Sequence, residues 1–417
     1  MRVLIVTANL PYPPVGGAQM RVYMLAKQLS RRHEVTLIAF DRDPDIPGRA
    51  EALRDFCAEV VPVPLANHQL LTQKRKQQLI SLARRRPYQY TAAYAPEMQR
   101  TIDHYLATRP FDIVQIEFSQ MGYYHLRDYS RSVLDQHNVE YELLHRIYQT
   151  ERLSLRKLYS FSEWWKFRRQ EIAICERFTT VLTTSERDRA TLEAQTRGPG
   201  YAVIPNGVDC DYFTNPAPLG HDNVILFTGT INYFPNTDGL KYFLEEIYPR
   251  VRQAVPDVQL CIAGKNPPPE IQRYAGSQGV TITGYLEDIR SVFATASLVI
   301  VPLRVGGGTR LKILEAMSMQ RAVVATSIGA EGIDVTHGEN ILLADDPESF
   351  ARSVVTLLHD RAQRQRLAAA GRRLVEQKYD WKLIGDRLEQ VYAETIERAR
   401  ERAGLSRSYA VNTLQQR

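Results

Sequence analysis

Three consecutive glycines stand between an apolar run and a helical pattern in Val301-Pro302-Leu303-Arg304-Val305-Gly306-Gly307-Gly308-Thr309-Arg310-Leu311-Lys312-Ile313-Leu314-Glu315-Ala316-Met317. Glycines let backbone N–H groups come close to an anion, and a helix N-terminus adds a favourable dipole. Arg310 and Lys312 place two full positive charges near the same point. A diphosphate suits that combination; the plainer alternative is a turn with two solvated cations. The segment is not a Walker A loop, because Gly-x-x-x-x-Gly-Lys-Ser/Thr is missing. Nor does Gly-x-Gly-x-x-Gly follow the first strand, as a dinucleotide fingerprint requires. Glu315 lies one turn into the helix. It either compensates the dipole or accepts hydrogen bonds from ribose hydroxyls.

In the first half, Gly16-Gly17 follows Pro11–Pro14 in the loop after the first strand candidate. His137, in Asp135-Gln136-His137-Asn138-Val139-Glu140, follows another strand candidate, as Glu117 does. Asn138, Glu140 and Glu117 are weaker candidates, for contacts to an acceptor. No paired carboxylates announce a double-displacement glycosidase. The four cysteines are far apart and form no Cys-x-x-Cys pair, so they read as buried small hydrophobes, with no zinc or redox site.

The elements that must hold these residues alternate. Short apolar runs at 3–7, 35–40, 60–63, 113–116, 132–135, 180–183 and 202–204 read as strands, with helical patterns between most of them. The pattern restarts after Pro205-Asn206-Gly207, with runs at 224–228, 259–263, 280–283, 298–301, 322–325 and 341–343. Alternation of this kind implies parallel sheets covered on both faces. At 417 residues the chain has room for two such domains. The reading is α/β: two Rossmann-like, doubly wound domains facing each other across a cleft. Ligands of open parallel sheets sit outside the carboxyl ends of the strands, so the chemistry belongs to the loops that follow them.

The run Lys312-Ile313-Leu314-Glu315-Ala316-Met317 resembles the donor-site signature of the family 4 glycosyltransferases, which have the GT-B fold. The resemblance extends, in family order, to Val203-Ile204-Pro205-Asn206-Gly207-Val208-Asp209, Phe227-Thr228-Gly229, Ile262-Ala263-Gly264, Gly284-Tyr285-Leu286-Glu287-Asp288 and Gly338-Glu339-Asn340-Ile341-Leu342-Leu343. It implies an acceptor-side domain at 1–205, completed by C-terminal helices at 385–417, and a donor domain at 206–384. It implies a retaining transferase that takes its sugar from a nucleotide-sugar substrate, with no cofactor and no metal. Arg310 and Lys312 would then neutralise the donor diphosphate, and Glu315 would hold the ribose. Gly16, Gly17, Gly229, Gly264, Leu286, Gly306, Gly307, Gly308 and Thr309 would complete the donor site. His137 matches the family's His that touches the donor sugar and joins Arg310 and Lys312 as catalytic. Two departures stand out. The family often shows Glu-x7-Glu, and here Gly307 takes the first Glu position. After Gly229 the usual Arg and Lys-Gly give way to Thr230-Ile231-Asn232 and Asn236-Thr237-Asp238-Gly239.

The net charge of +6 is uneven. Residues 1–205 hold 29 Lys+Arg against 22 Asp+Glu, and residues 206–417 hold 24 against 25. A basic face suits an anionic membrane, and 70–86 interleaves leucines with lysines and arginines as a surface-lying helix would. Packing on its own domain is the alternative for that segment, and core packing is the reading for Trp164-Trp165. No apolar run approaches the roughly 18 residues needed to span a bilayer. No export signal is visible, so the expected place is the cytoplasm, peripheral at the inner face of the cell membrane. The basic residues lack an interleaved aromatic platform, which argues against nucleic acid. The expected acceptor is a glycan, polysaccharide or lipid-linked sugar in cell-surface glycan assembly. A sugar-nucleotide epimerase on the same fold and an inactive nucleotide-sugar-binding scaffold are the competing readings.

Overall fold

The computed structural model describes residues 1–42, 48–65, 81, 86–150, 154–214 and 223–415. The chain forms two compact units, Met1–Pro205 with Gly385–Arg417, and Asn206–Ile384.

The first unit carries a seven-stranded sheet in the order β3-β2-β1-β4-β5-β6-β7. Its strands are β1 (Arg2–Thr7), β2 (Glu34–Asp41), β3 (Glu59–Pro64), β4 (Ile113–Glu117), β5 (Ser132–Gln136), β6 (Thr180–Thr183) and β7 (Gly200–Val203). Every pairing is parallel, with β1 between β2 and β4. The second unit repeats the plan with six strands in the order β10-β9-β8-β11-β12-β13. These are β8 (Val224–Thr228), β9 (Gln259–Ala263), β10 (Val280–Gly284), β11 (Leu298–Val301), β12 (Ala322–Ala325) and β13 (Leu342–Leu343). Central strands such as Val-Leu-Ile-Val in β1 and Leu-Val-Ile-Val in β11 are apolar throughout because helices cover both faces.

Strand order reverses between β1 and β4 in one sheet and between β8 and β11 in the other. Such a switch point opens a crevice at the carboxyl ends of the strands. The loop carrying Gly16-Gly17, the end of β4 at Glu117, Gly229 and the triple-glycine loop all emerge there.

The helix after β1 begins at Gly17, inside the Gly16-Gly17 pair. Two local readings shift. The run 341–343 shortens because the Ile341 carbonyl closes a turn with the Gly338 N–H at 2.8 Å. Trp165 does not enter the core. It lies 47% exposed on the helix Leu155–Cys175, under the Arg169 guanidinium, while Trp164 stacks on His145. The basic segment 70–86 falls almost wholly outside the described residues. Of the cysteines, Cys57, Cys175 and Cys210 are buried and Cys261 is half-buried.

Candidate active site

In the second unit, β11 ends at Val301 and the helix Leu311–Ser318 follows after the glycines. Gly306 and Gly308 take φ of 131° and 74°, backbone that side chains rarely adopt. The helix has no side-chain cap and no acidic residue in its first turn, so its leading N–H groups keep their capacity for an anion. Around Gly307, by contrast, a side-chain carbon would meet nothing within 4 Å.

Lys312 projects from the first turn of that helix toward Gly229, and its amine lies 4.1 Å from the centre of the Phe227 ring. It donates to Asn236 Oδ1 at 3.0 Å, and Asn236 is fixed in turn by donating Nδ2–H to the Thr230 carbonyl. Burial and the neighbouring Arg310 charge lower the Lys312 amine to about 7, and Glu315 opposes them. Burial lifts the Glu315 carboxyl to about 7, against the pull of Lys312. No hydrogen bond reaches that carboxylate among the described residues. The Thr309 hydroxyl is also buried without a partner among them. Arg310 turns back on its own loop and donates to the Gly307 and Gly308 carbonyls. It braces the glycine turn in this state instead of standing open beside Lys312.

Gly229 and Gly264 serve the backbone as much as a ligand. The Gly229 N–H bonds the Ala263 carbonyl at 3.0 Å, and a side-chain carbon on Gly264 would stand 1.7 Å from the Gly229 oxygen. Leu286 is half-buried and packs on the apolar layer that holds Val299 and Val301 of β11 with Ile313 and Leu314.

In the first unit, a buried polar chain runs below the ends of β4 and β5. Arg21, on the helix Gly17–Leu29, binds Asp135 through two bonds of 2.8 Å. His137 Nε2 lies 2.7 Å from Glu117 Oε2, and Gln115 donates to the other Glu117 oxygen at 2.6 Å. Tyr392 donates to Gln115 at 2.5 Å. Burial and the Asp135 charge raise the Glu117 carboxyl, while His137 opposes that rise. With Nε2 committed to Glu117, His137 Nδ1 is left buried and unpartnered among the described residues. Phe118 covers the imidazole at 3.9 Å between ring centres, held at φ 69°. A left-handed phenylalanine stores about 1–3 kcal/mol of strain, a cost that clusters at functional positions.

Glu117 is wholly buried. The expected contact to an acceptor gives way to a different task, orienting His137. Glu117, Asp135 and His137 also bring ligand-type atoms within 4.8 Å of one another. Arg21 already occupies both Asp135 oxygens, so a cation there would compete with a guanidinium. Asn138 and Glu140 bond each other at 3.4 Å. Glu140 opens the helix Glu140–Thr150, whose first N–H groups are capped by Glu171. Burial, and then the Glu140 charge, lift Glu171 to about 8. At Gly16 a side-chain carbon would meet only Gln19, at 3.9 Å, so space remains before the helix Gly17–Leu29.

The second-unit residues Gly229, Gly306, Gly307, Gly308, Arg310 and Lys312 thus form one group, and the first-unit residues Gly16, Gly17, Glu117 and His137 are set at one sheet end. Sequence reasoning gave no role to Asn236, Arg21, Asp135 or Glu171. Only Asn236 left a trace, as a departure from the family pattern.

Two sheets of this order, each with a switch point at the carboxyl ends of its strands, have the topology of the GT-B fold. The model for Glycosyltransferase Family 4 matches residues 15–212, and that for Glycosyl transferases group 1 matches 222–360. The chain belongs to the family 4 glycosyltransferases. It is 23% identical to an uncharacterized 44.6 kDa protein in the cps region of Klebsiella pneumoniae, over 92% of this chain and 97% of that one. It is 30% identical to the phosphatidyl-myo-inositol mannosyltransferase of Mycobacterium tuberculosis over 207 residues, 46% of this chain and about half of that one. The HepE protein of Anabaena, solved with UDP-glucose, superposes with a TM-score of 0.64 at 16% identity, over 94% of this chain and 100% of that one.

Proposed function

We propose that the chain moves a sugar from a nucleotide-sugar donor to a lipid-linked or polysaccharide acceptor in cell-surface glycan assembly, with retention at the anomeric carbon. The observation that carries this reading is the glycine turn with Lys312 and Glu315. A cation and a carboxylate sit one turn apart, each shifted to about 7 by burial. A diphosphate would satisfy the first and a ribose diol the second. The UDP-glucose bound by HepE supports a donor of that type, and the mannosyltransferase, named for a lipid, supports a lipid-linked acceptor.

As the bond from the anomeric carbon to the diphosphate breaks, negative charge grows on the departing oxygens. Lys312, the glycine N–H groups, the helix N-terminus and a reoriented Arg310 would take up that charge, and no metal would be needed. The acceptor oxygen would bond the same face of the sugar, and its proton would pass to the leaving phosphate oxygen. Preorganised groups stabilise such a transition state without reorganising water. His137, aligned by Glu117, would position the sugar. Donor binding belongs to the second unit and acceptor binding to the first.

No helix among the described residues is long and apolar enough to cross a membrane. A peripheral site is supported by Leu158, Phe161 and Trp165, an exposed stripe on the helix Leu155–Cys175 with Arg169 over Trp165. Apolar and basic groups on one face suit an anionic lipid surface.

The test incubates the protein with UDP- and GDP-sugars, a lipid-linked acceptor and a chelator, and follows nucleotide release and the product anomer. Transfer with retention that survives the chelator is expected. A 2-epimer without transfer would favour the epimerase, and loss of transfer restored by magnesium would reject the cation-based mechanism.

A further inference from the structure

A cavity of about 910 Å³ opens in the first unit, away from the groups described above. Its walls are Tyr90, Tyr94, Tyr123 and Tyr129, with Arg86 and Arg177. Tyr129 and Arg177 each lie three residues ahead of β5 and β6, while His137 follows the other end of β5. The proposed transfer chemistry uses none of these groups. A cavity of this size is within the range of small-ligand sites, about 300–1,000 Å³.

Its chemistry is specific. Tyr94 meets Tyr123 edge-on at 5.7 Å, so two ring faces stand nearly perpendicular. Flat aromatic faces of this kind receive the C–H faces of pyranose rings. The Tyr90 ring lines the cavity, while its buried hydroxyl faces Ser119 and Glu171. The charges all have one sign. Arg86 lies over the Tyr123 ring at 5.0 Å and Arg177 over Tyr129 at 4.9 Å. Thr91, Gln99 and His125 complete the wall, and no carboxylate lines it among the described residues.

We propose that this cavity is a second carbohydrate site, which takes an oligosaccharide bearing carboxylate or phosphate groups. The tyrosines hold sugar rings and the arginines hold the anionic substituents. The site grips a part of a glycan that is not reacting, as an enzyme working on a growing chain would use to retain it. This deepens the acceptor reading above, resting on its polysaccharide arm, and the test keeps the two separable.

Calorimetry with hyaluronan hexasaccharide, hexagalacturonate and neutral maltohexaose reads the site directly. An acidic hexamer should bind more tightly than maltohexaose, and its affinity should fall with salt. Tyr94→Ala, at an exposed ring, should weaken it about tenfold, the scale of one lost aromatic contact. Arg86→Gln should erase the preference for acidic over neutral hexamers. Both variants should release nucleotide from the donor, in water or with a short acceptor, at the unaltered rate. That last readout belongs to the transfer reading, so its failure would not be mistaken for failure of this site. The proposal is overturned if neither acidic hexamer binds, if both variants bind as tightly as the unaltered chain, or if the same substitutions abolish only binding to phosphatidylglycerol vesicles.

Discussion

Lys312 and Glu315 are each uncomfortable without a ligand, and that discomfort has a sign. Burial and Arg310 hold Lys312 near 7, well below an ordinary lysine, and burial holds Glu315 near 7, well above an ordinary glutamate. A diphosphate beside Lys312 favours the ammonium, so binding raises that pKa and affinity falls as pH climbs above 7. Ribose hydroxyls donating to Glu315 favour the carboxylate, so binding lowers that pKa and affinity falls as pH drops below 7. Affinity for UDP or GDP should therefore peak near pH 7, with proton uptake on the alkaline side and release on the acid side. Calorimetry in buffers of different ionisation enthalpy measures both. Lys312→Ala should abolish the uptake and Glu315→Gln the release; a flat profile from acid to alkaline would contradict the assignment. The same lysine should matter more to turnover than to binding, because charge on the diphosphate grows as the bond breaks. Lys312→Ala should lower turnover at saturating donor by about 10²–10³-fold, as loss of one preorganised donor does elsewhere. Arg310→Ala should act twice, through the lost cation and through the Gly307 and Gly308 carbonyls it braces. Near-full turnover in both variants would reject the mechanism.

The loops after the strands separate glycines that serve the fold from glycines that serve a ligand. Gly264 has no room for a side chain, since its added carbon would fall against the Gly229 carbonyl, and its φ is 159°. Gly264→Ala must push β8 and β9 apart at their ends and should cost about 1–3 kcal/mol, the usual range for overpacking. Gly307 has open space on its outer side. Gly307→Ala should leave the unfolding temperature unchanged yet weaken nucleotide affinity by blocking the approach to the N–H groups. Thermal melts with and without UDP or GDP distinguish the two, and equal behaviour of both variants would dissolve the distinction. The same contrast explains what could be read beforehand. Strands such as β1 and β11 were legible because helices on both faces demand unbroken Val, Leu and Ile. The triple-glycine turn was legible because at Gly306 and Gly308 its backbone disfavours other residues. The pairing of Arg21 with Asp135 was not, because it joins positions 114 apart in the chain, and a basic residue on a helix usually marks solvent. Glu117 misled for a related reason. Its place after a strand suggested an open loop, but the strand ends beneath Phe118 and His137, in the interior. Asn236 was visible only inside the stretch that replaces the family's Lys-Gly, and its amide is what steadies Lys312.

Across the whole chain, the last helix, Trp381–Gln415, ties the two units together covalently: it starts in the second and from Gly385 onward belongs to the first. The first unit relies on it. Tyr392 is the partner of buried Gln115, Thr395 meets Thr180 at 2.8 Å, and Glu389 bonds Arg32 at 3.0 Å. Gln115 in turn holds Glu117, and Glu117 holds His137, so the end of the chain reaches the candidate site through three hydrogen bonds. Removing the Tyr392 hydroxyl leaves a buried amide oxygen short of a donor, at a cost of about 1–3 kcal/mol. Tyr392→Phe should therefore lower the unfolding temperature of the first unit and slow transfer, because His137 loses its alignment. Nucleotide binding, assigned to the second unit, should not change. Ending the chain at Ile384 is the stronger perturbation, since it also strips Leu388, Val391 and Thr395 from the first unit. Scanning calorimetry should then show the first unit's transition lost or sharply lowered. The transition that UDP or GDP shifts upward should persist, because a ligand raises the stability only of the unit that binds it. If Tyr392→Phe weakens nucleotide binding and leaves transfer from saturating donor untouched, the chain from Tyr392 to His137 does not carry the alignment.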